Sequence, residues 1–514
     1  MATAELPHGD SAGTFLGHPK GLFVLFFAEM WERFSYYGMR ALLIFYLTKH
    51  WLFSDSQAGV IYGAYTALVY ITPVLGGYLA DKYLGQRKAV TYGAVLLTFG
   101  HVLMGFEGNG GQDASALNVF WLALAFIIVG SGFLKANISV IVGQLYQRTD
   151  VRRDGAYTIF YMGINLGAAI GSLLCGYLGE TYGWSYGFGA AGVGMLLGLI
   201  VFTVFKPLLL GRGEPPKPLG KGLEWSLYAV GIAAVGACWW MVQNQSVVGV
   251  LLGLSGALLV GYVLFTAVVK LPAEDRDRIF AAMFLIIGSI LFWALFEQAG
   301  SSLNLYTDRY VDRAGVPASV FQSINAIYIV LLAPLFATLW TWLGRKGLEP
   351  SAPAKFGLAL MQLGAGFLVL VAGAATGDLT PVLFIFLIYL LHTTGELCLS
   401  PVGLSAMNRL APAHMASLIM GTWFFASATG NFVAGLIAAA TGSEAASGEG
   451  AGKDVVLGVY SQIGWIAIAV GVGVLVISPL IKKLMHLDTL KDDSVLSQIE
   501  DVFGDAPANA RPAE

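Results

Sequence analysis

Charged residues are scarce in this sequence of 514 residues, where they make up 12% of the total against about 25% in a typical soluble domain. Hydrophobic residues account for 56%. The net charge is −3, and no lysine or arginine tract is present, which excludes a surface that binds the phosphate backbone of nucleic acid. The composition therefore predicts a protein that crosses a membrane many times.

Cysteine is rare, and the common motifs of metal and nucleotide sites are missing. Cys175, Cys238 and Cys398 lie in apolar segments without the spacing of metal ligands, so we interpret them as small buried hydrophobic residues. The sequence contains no His-Glu-x-x-His, Gly-x-x-x-x-Gly-Lys-[Ser/Thr] or Cys-x-x-Cys motif. An enzyme, a metal site and a bound cofactor are therefore not expected.

Apolar stretches of about 20 residues, the length of a membrane-spanning helix, are abundant. Fourteen of them lie near residues 21–48, 57–80, 88–106, 118–145, 155–178, 186–207, 223–243, 247–269, 279–303, 318–343, 355–374, 380–408, 415–440 and 455–480. The predicted fold class is an all-α polytopic membrane protein with 14 transmembrane helices.

Lysine and arginine are concentrated in the connections at one end of these stretches, and the positive-inside rule makes that end cytoplasmic. The connections at this end hold Lys82, Arg87, Lys88, Arg148, Arg152, Arg153, Lys206, Arg212, Lys217, Lys221, Lys270, Arg276, Arg278, Arg345, Lys346, Lys355 and Arg409. The opposite connections hold Lys49, Arg309, Arg313 and Lys453. An even number of spans places both termini on one side, so both are expected in the cytoplasm.

A loop after the second span has a weaker copy later in the chain. Gly77–Lys88 contains an acidic residue followed by basic ones, and Trp342–Lys346 follows the tenth span. Pro73 and Pro334 lie in the helices before these loops. If residues 223–269 are an insertion, two parallel six-helix repeats remain. This arrangement and the loop resemble the major facilitator superfamily, whose site lies between the halves.

The repeat divides the chain into five parts. They are a cytoplasmic N-terminal segment at 1–20, a six-helix bundle at 21–210, a linker with two inserted helices at 211–270, a second six-helix bundle at 271–485, and a partly disordered cytoplasmic tail at 486–514.

The first span carries four formal charges. If these charges faced lipid, they would raise the free energy of membrane insertion by on the order of 10 kcal/mol. The polar side chains recur at helical spacing and form one stripe: Glu29, Glu32, Arg33, Tyr36, Tyr37 and Arg40. Such a stripe lines a cavity or a pathway. The alternative is a structural strip of ion pairs between packed helices.

Three more ionisable residues, Lys135, Glu297 and Glu396, interrupt later spans. Their helices and the first helix form two symmetry-related pairs, so we expect all seven charges to converge on the centre. Four acids face three bases, which leaves one carboxylate without a permanent cation. An isolated carboxylate in a low dielectric tends to hold a proton, and a nearby cation favours its release, so moving the cation couples to protons. Interacting groups titrate together, so the sequence does not assign the proton to one glutamate.

Uncharged side chains of other spans complete the expected cavity lining. They are Tyr70, Asn137, Asn165, Asn325, Ser427, Trp293, Trp423 and Phe424. Each also has a structural interpretation, because asparagine joins membrane helices through hydrogen bonds and tryptophan packs or anchors at the interface.

The segment Glu29–Gly38, EMWERFSYYG, closely resembles the first-helix signature of the proton-dependent oligopeptide transporter (POT/PTR) family. Gly130–Asn137, Phe160–Gly167 and Gly395–Pro401 resemble its signatures in helices 4, 5 and 10. The inserted helix pair resembles the bacterial members. The resemblance covers nearly the whole chain and implies a multi-pass protein of the bacterial cytoplasmic (inner) membrane.

The resemblance also implies residue roles. Proton coupling would involve Glu29, Glu32, Arg33 and Glu297. Arg40 and Lys135 would hold a peptide carboxylate, Glu396 the peptide ammonium, and Glu297 would pair with Arg40 as a gate. The remaining substrate-binding positions would be Tyr36, Tyr37, Tyr70, Asn165, Asn325, Trp293, Trp423, Phe424 and Ser427. Animal members carry a histidine where this chain has Gly63, so a histidine-based proton step is not expected.

The predicted function is proton-coupled symport of di- and tripeptides by a monomer working through alternating access. A zwitterion independently suits a cavity with a basic wall and an acidic wall. Two alternatives remain open: a proton-coupled carrier of another anion or zwitterion, such as an amino acid, nitrate or a peptide-like drug, and a peptide-sensing receptor without net transport.

Overall fold

The computed structural model describes residues 9–147, 150, 152–442 and 452–489. Within them lie α1 (Lys20–Phe45), α2 (Asp55–Leu79), α3 (Gln86–Met104), α4 (Ala114–Gln144), α5 (Arg153–Tyr182), α6 (Trp184–Val204), α7 (Lys221–Gln243), α8 (Gln245–Lys270), α9 (Ala273–Phe296), α10 (Ser302–Tyr310), α11 (Ser323–Arg345), α12 (Ala352–Ala374), α13 (Leu383–Leu410), α14 (Ala416–Thr441) and α15 (Lys453–Leu484). Arg148, one of the basic residues predicted in the connections, lies outside the described residues. So do parts of both terminal segments, residues 1–8 and 490–514.

The predicted fold class is confirmed. In the described residues, α10 is a short extension of α9 through the turn Glu297–Gly300, and the other fourteen helices match the fourteen apolar stretches. Among the described residues, twelve helical segments are long and apolar enough to cross a membrane. The remaining two long helices are α1, which carries the charged stripe, and α3. Two short pairings of two-residue strands, β1 (Thr14–Phe15) with β2 (His18–Pro19) and β3 (Val311–Asp312) with β4 (Thr380–Pro381), lie in connections.

Several basic residues expected in connections lie instead in the end turns of helices. Arg276 and Arg278 belong to α9, Arg345 to α11, Lys355 to α12 and Arg409 to α13. The physical reason is helix length. The 32 residues of α15, for example, extend about 48 Å, whereas a hydrocarbon core is about 30 Å thick. The outer turns therefore reach the polar headgroup region, where basic side chains are favourable.

The loop Gly77–Lys88 forms a tight turn. A π-helical turn, Ala80–Leu84, leads to Gly85, whose φ of +77° favours glycine, and α3 starts at the next residue. Arg87 and Lys88 form ion pairs of 2.7 Å with Glu214 of the linker and Glu224 of α7. The turn is thus tied to the inserted hairpin α7–α8.

Helices α1–α6 pack together as one bundle, and α9 and α11–α15 pack as a second. The contacts of α1 with α5, α1 with α6 and α3 with α4 correspond to those of α9 with α14, α9 with α15 and α12 with α13. The bundles meet through α2 with α14 and α5 with α11, which are also counterparts. The inserted helix α7 packs on α4, and α8 packs on α2, α9 and α14. This symmetry supports the interpretation of two repeats with an insertion.

The two ends of the molecule differ in how the bundles meet. We call the end at which α1 begins and α15 ends the termini end, and the opposite end the far end. At the far end, Arg309 forms two hydrogen bonds of 2.5 and 2.9 Å with Asp55, and Lys49 lies 2.7 Å from Asp308. At the termini end, the ion pairs among the described residues join partners within one bundle or with the linker and inserted hairpin, and none joins the two bundles. The far end is therefore closed and the termini end open.

Backbone contact between α2 and α14 contributes to the far-end closure. A methyl group built on Gly63 would lie 2.6 Å from the Cα atom of Gly435, and one built on Gly59 would lie 2.8 Å from the backbone nitrogen of Ala439. Glycine therefore allows these helices to approach more closely than any other residue would. At Gly63, the neighbouring helix leaves no room for a side chain.

Replacing Gly63 with leucine should destabilise the closed far end, because the side chain would force α2 and α14 apart. Overpacking costs about 1–3 kcal/mol, which corresponds to a shift in two-state populations of about 5- to 150-fold. Spin labels at Leu52→Cys and Val316→Cys, near the far-end tips of the two bundles, should report longer distances in electron spin resonance.

The matched control is Gly236→Leu in α7, because a Cβ atom there meets nothing within 4 Å. If Gly63→Leu fails to fold, Gly63→Ala tests the same contact, because it adds only a methyl group. Unchanged label distances in a folded Gly63 variant would contradict this account of the closure.

Candidate functional site

A cavity of about 150 Å³ lies between the two bundles. Its walls come from α1, α2 and α5 of the first bundle and from α9, α11, α13 and the adjoining turns of the second. The lining residues are Tyr37, Arg40, Ala41, Tyr70, Ser172, Trp293, Phe296, Glu297, Ala299, Gln322, Asn325, Tyr389 and Glu396. Seven predicted site residues meet here, from both halves of the chain.

Arg40 and Glu297 form a buried ion pair across the cavity, joining α1 to the turn after α9. The Arg40 Nε atom also donates a hydrogen bond of 2.5 Å to the Tyr62 hydroxyl, and the guanidinium carbon lies 5.7 Å from the centre of the Tyr37 ring. The side chains of Arg40 and Glu297 are 9% and 4% exposed. This pair connects the bundles between the cavity and the far-end closure.

Glu396 forms the acidic side of the cavity. Its Oε2 atom accepts a hydrogen bond of 3.0 Å from Asn325, whose amide also donates to the Thr393 hydroxyl at 3.0 Å. Within the described part of the chain, Glu396 has no basic partner at ion-pair distance. The carboxylate is therefore oriented but not neutralised, and Lys135 does not pair with it in this structure.

The remaining charges of α1 form a second group, the ExxER cluster, made of Glu29, Glu32, Arg33 and Lys135. Arg33 donates from Nε to Glu29 at 2.7 Å and lies 3.3 Å from Glu32. Both glutamates are 1% exposed. Neither carboxylate oxygen of Glu32 has a hydrogen-bond partner among the described residues. Glu29 is thus the better neutralised of the two.

Lys135 of α4 lies beside this cluster. Its Nζ atom is 3.8 Å from the centre of the Tyr36 ring and 5.5 Å from that of Tyr70, which places the cation over aromatic faces. It interacts electrostatically with Glu29 and Glu32, but its Nζ atom has no hydrogen-bond partner among the described residues. No hydrogen bond to a described residue therefore fixes the position of the ammonium.

Other predicted lining residues lie outside the cavity, and three of them donate hydrogen bonds to backbone carbonyls. Asn165 donates to Tyr161 of its own helix at 3.2 Å, and Ser427 donates to Trp423 at 3.3 Å. Asn137 donates to Gly76 of α2 and to Phe133. Trp423 is buried, and Phe424 is 44% exposed.

Four polar contributors to the site were not among the predicted residues: Tyr62, Ser172, Gln322 and Tyr389. Helical spacing contained a signal for three of them. Tyr389 lies seven residues before Glu396, Ser172 seven after Asn165, and Gln322 three before Asn325, so each shares a helix face with a predicted residue. Within the described ranges, no group of three or more His, Cys, Asp and Glu residues is placed to hold a metal.

Comparisons with known proteins identify the family. The family model described as the POT family matches residues 87–456. The peptide transporter YePEPT of Yersinia enterocolitica is 38% identical over 460 residues, which cover 82% of this chain and 88% of that protein. Dipeptide and tripeptide permease B of Salmonella typhimurium is 31% identical over 484 residues, which cover 92% and 97%.

Solved structures agree with the sequence matches. A crystal structure of a mutant peptide transporter POT in complex with alafosfalin matches this chain with a TM-score of 0.78 and 38% sequence identity. The match covers 92% of this chain and 97% of the chain in that structure. The chain therefore belongs to the POT family, a group of membrane transporters and not of enzymes, and has the fold of the major facilitator superfamily.

Proposed function

We propose that this chain is a proton-coupled symporter that imports di- and tripeptides by alternating access. The observation that carries the proposal is the cavity between the bundles, which has the cation Arg40 on one side and the unneutralised carboxylate Glu396 on another. A peptide zwitterion presents the complementary charges at its two ends. The names of two relatives, a peptide transporter and a dipeptide and tripeptide permease, support the same substrate class.

In this proposal the peptide ammonium binds Glu396, and Asn325 fixes the carboxylate orientation. The peptide carboxylate binds on the side of Arg40, and Lys135 moves toward it from the Tyr36 ring. Polar and aromatic side chains of the lining meet the peptide between its ends; these are Tyr37, Tyr70, Trp293 and Asn325. Both bundles contribute to one cavity within a single chain, which supports a functional monomer.

We infer that Glu32 carries the coupling proton. Its carboxylate is buried and shares Arg33 with the closer Glu29, and Lys135 is the other cation near it. When Lys135 turns toward a bound peptide carboxylate, Glu32 loses that cation and takes up a proton. Release of the peptide returns Lys135 and expels the proton, so peptide and proton move together.

The open termini end is proposed to face the cytoplasm, because lysine and arginine are concentrated there. Both termini would then be cytoplasmic, and the structure would represent the state that faces inward. Opening toward the outside requires separation of Arg40 from Glu297 and of Asp55 from Arg309. The bundles would then rock around the occupied cavity, as in other carriers built from repeats.

Substituting Glu32 by glutamine should reduce pH-driven accumulation of a labelled dipeptide in proteoliposomes by about tenfold or more, while exchange of labelled for unlabelled peptide continues. The reason is that the amide retains the size of the carboxyl group but neither binds nor releases a proton. Accumulation and exchange are measured on the same vesicles.

The matched control is Glu274→Gln, whose side chain is 55% exposed at the start of α9. Undiminished accumulation by Glu32→Gln would show that another group carries the proton. Lack of exchange in the unsubstituted protein would favour the receptor alternative.

Acetylating the amino group of a dipeptide should weaken its binding to the unsubstituted protein by about 2 kcal/mol, because Glu396 loses its charged partner. In Glu396→Gln the same acetylation should have little effect, since the charge pair is already missing. Isothermal titration calorimetry measures the binding free energies of both peptides to both proteins, and the four values form a double-substitution cycle.

Amidation of the peptide carboxylate is the control, because its effect should persist in Glu396→Gln. If acetylation weakens binding equally in both proteins, Glu396 does not bind the peptide ammonium. Equal stabilisation by nitrate or a single amino acid in a thermal-shift assay would favour the carrier of other solutes.

A further inference from the structure

A second cavity, of about 590 Å³, lies away from the transport cavity, between α2, α4 and the inserted hairpin α7–α8. Its floor is buried and apolar, formed by residues such as Leu68, Phe133 and Cys238. Its rim is exposed, with Leu75 at 66% and Val230 at 54%. The surrounding helices are long and apolar enough to cross the membrane, and most of the lining is apolar, so the cavity suits lipid better than water.

The dimensions of this cavity match one lipid chain. Along α2 it extends from Ala67 to Leu79, which is about 18 Å at 1.5 Å per residue. One leaflet of the hydrocarbon core is about 15 Å thick, half of about 30 Å. An acyl chain entering from the termini end would therefore fill the cavity along most of its length.

A cation lies next to the termini end of the cavity. Tyr78 forms part of the lining, and the Lys82 ammonium donates a hydrogen bond of 2.9 Å to its hydroxyl. The ammonium also lies 5.4 Å from the centre of the Tyr83 ring. Arg87 and Lys88 of the same loop form ion pairs, whereas Lys82 has no acidic partner at ion-pair distance among the described residues. Its charge is therefore available to an anionic headgroup.

We propose that this cavity binds one anionic phospholipid of the surrounding bilayer, with an acyl chain between α2 and the hairpin α7–α8 and the phosphate at Lys82 and Tyr78. This gives the inserted hairpin a function, because it supplies one wall of the cavity. Without that wall, the acyl chain would lie in bulk lipid. Phe425 of α14 also lines the cavity, so both bundles contact the lipid. Movement between the bundles changes these contacts, which makes the lipid a ligand whose affinity depends on the transport state.

Native mass spectrometry of the full chain, delipidated and offered equal amounts of phosphatidylglycerol and phosphatidylcholine, tests the proposal. One phosphatidylglycerol should be retained per chain, with a preference of about fivefold over phosphatidylcholine from the Lys82 charge. A phosphatidylglycerol with a photoreactive group on its acyl chain should crosslink to peptides of α2, α7 or α8.

Matched variants separate the cavity from the general lipid surface. Ala234 lines the cavity, and its neighbour Ala233 faces outward. Ala234→Phe should fill the cavity and lower phosphatidylglycerol retention about tenfold, a change of about 1.4 kcal/mol, whereas Ala233→Phe should leave it unchanged. Lys82→Gln should remove the lipid preference, and Lys217→Gln in the linker should not. Thermal unfolding verifies that each variant is folded.

Any of four results would overturn the proposal. The first is equal retention by Ala234→Phe and Ala233→Phe. The second is equal retention of the two phospholipids by the unsubstituted protein. The third is crosslinking spread over all lipid-facing helices. The fourth is occupation of the cavity by a second copy of the chain, seen as a dimer without bound lipid.

Discussion

The burial of ionised side chains inside a membrane is the constraint on which the arrangement of the first bundle depends. Such groups are stable only where protein, water or counter-ions replace the hydration they lose. Helix α1 therefore lies inside its bundle, and α5 packs closely along it. Methyl groups built on Gly167 and Gly171 would lie 2.2 Å from the backbone oxygens of Met30 and Phe34. The small residues of α5 thus allow the charged helix to be enclosed.

The same helix connects the two polar regions. Arg33 belongs to the ExxER cluster and Arg40 to the cavity, seven residues or about two turns apart. The Tyr36 and Tyr37 rings lie between them, with centres 5.2 Å apart. In the proposed mechanism, a ligand charge in the cavity and a proton at the cluster therefore act on one rigid element, and no long chain of intermediates is needed to connect them.

Local patterns predicted the features that depend on one segment at a time. The fourteen spans followed from apolar length, and the common stripe of Glu29 and Arg33, which form an ion pair, from helical spacing. The Asp55–Arg309 closure joins residues 254 positions apart, so it depends on how the bundles dock and has no local signature. Asn165 and Ser427 show another limit, because their side chains bond to their own helices. Polarity alone does not distinguish that use from contact with a ligand.

The glycine contact between α2 and α14 has a consequence for energy conservation. Side chains in a helix interface change rotamers on short timescales and open transient gaps, whereas two touching backbones have no rotamers to change. At Gly63 and Gly435 the closed end is sealed by main-chain atoms. Side-chain motion therefore opens no gap for a water wire at this contact. A carrier driven by an ion gradient requires such a seal, because leakage would dissipate its driving force without moving cargo.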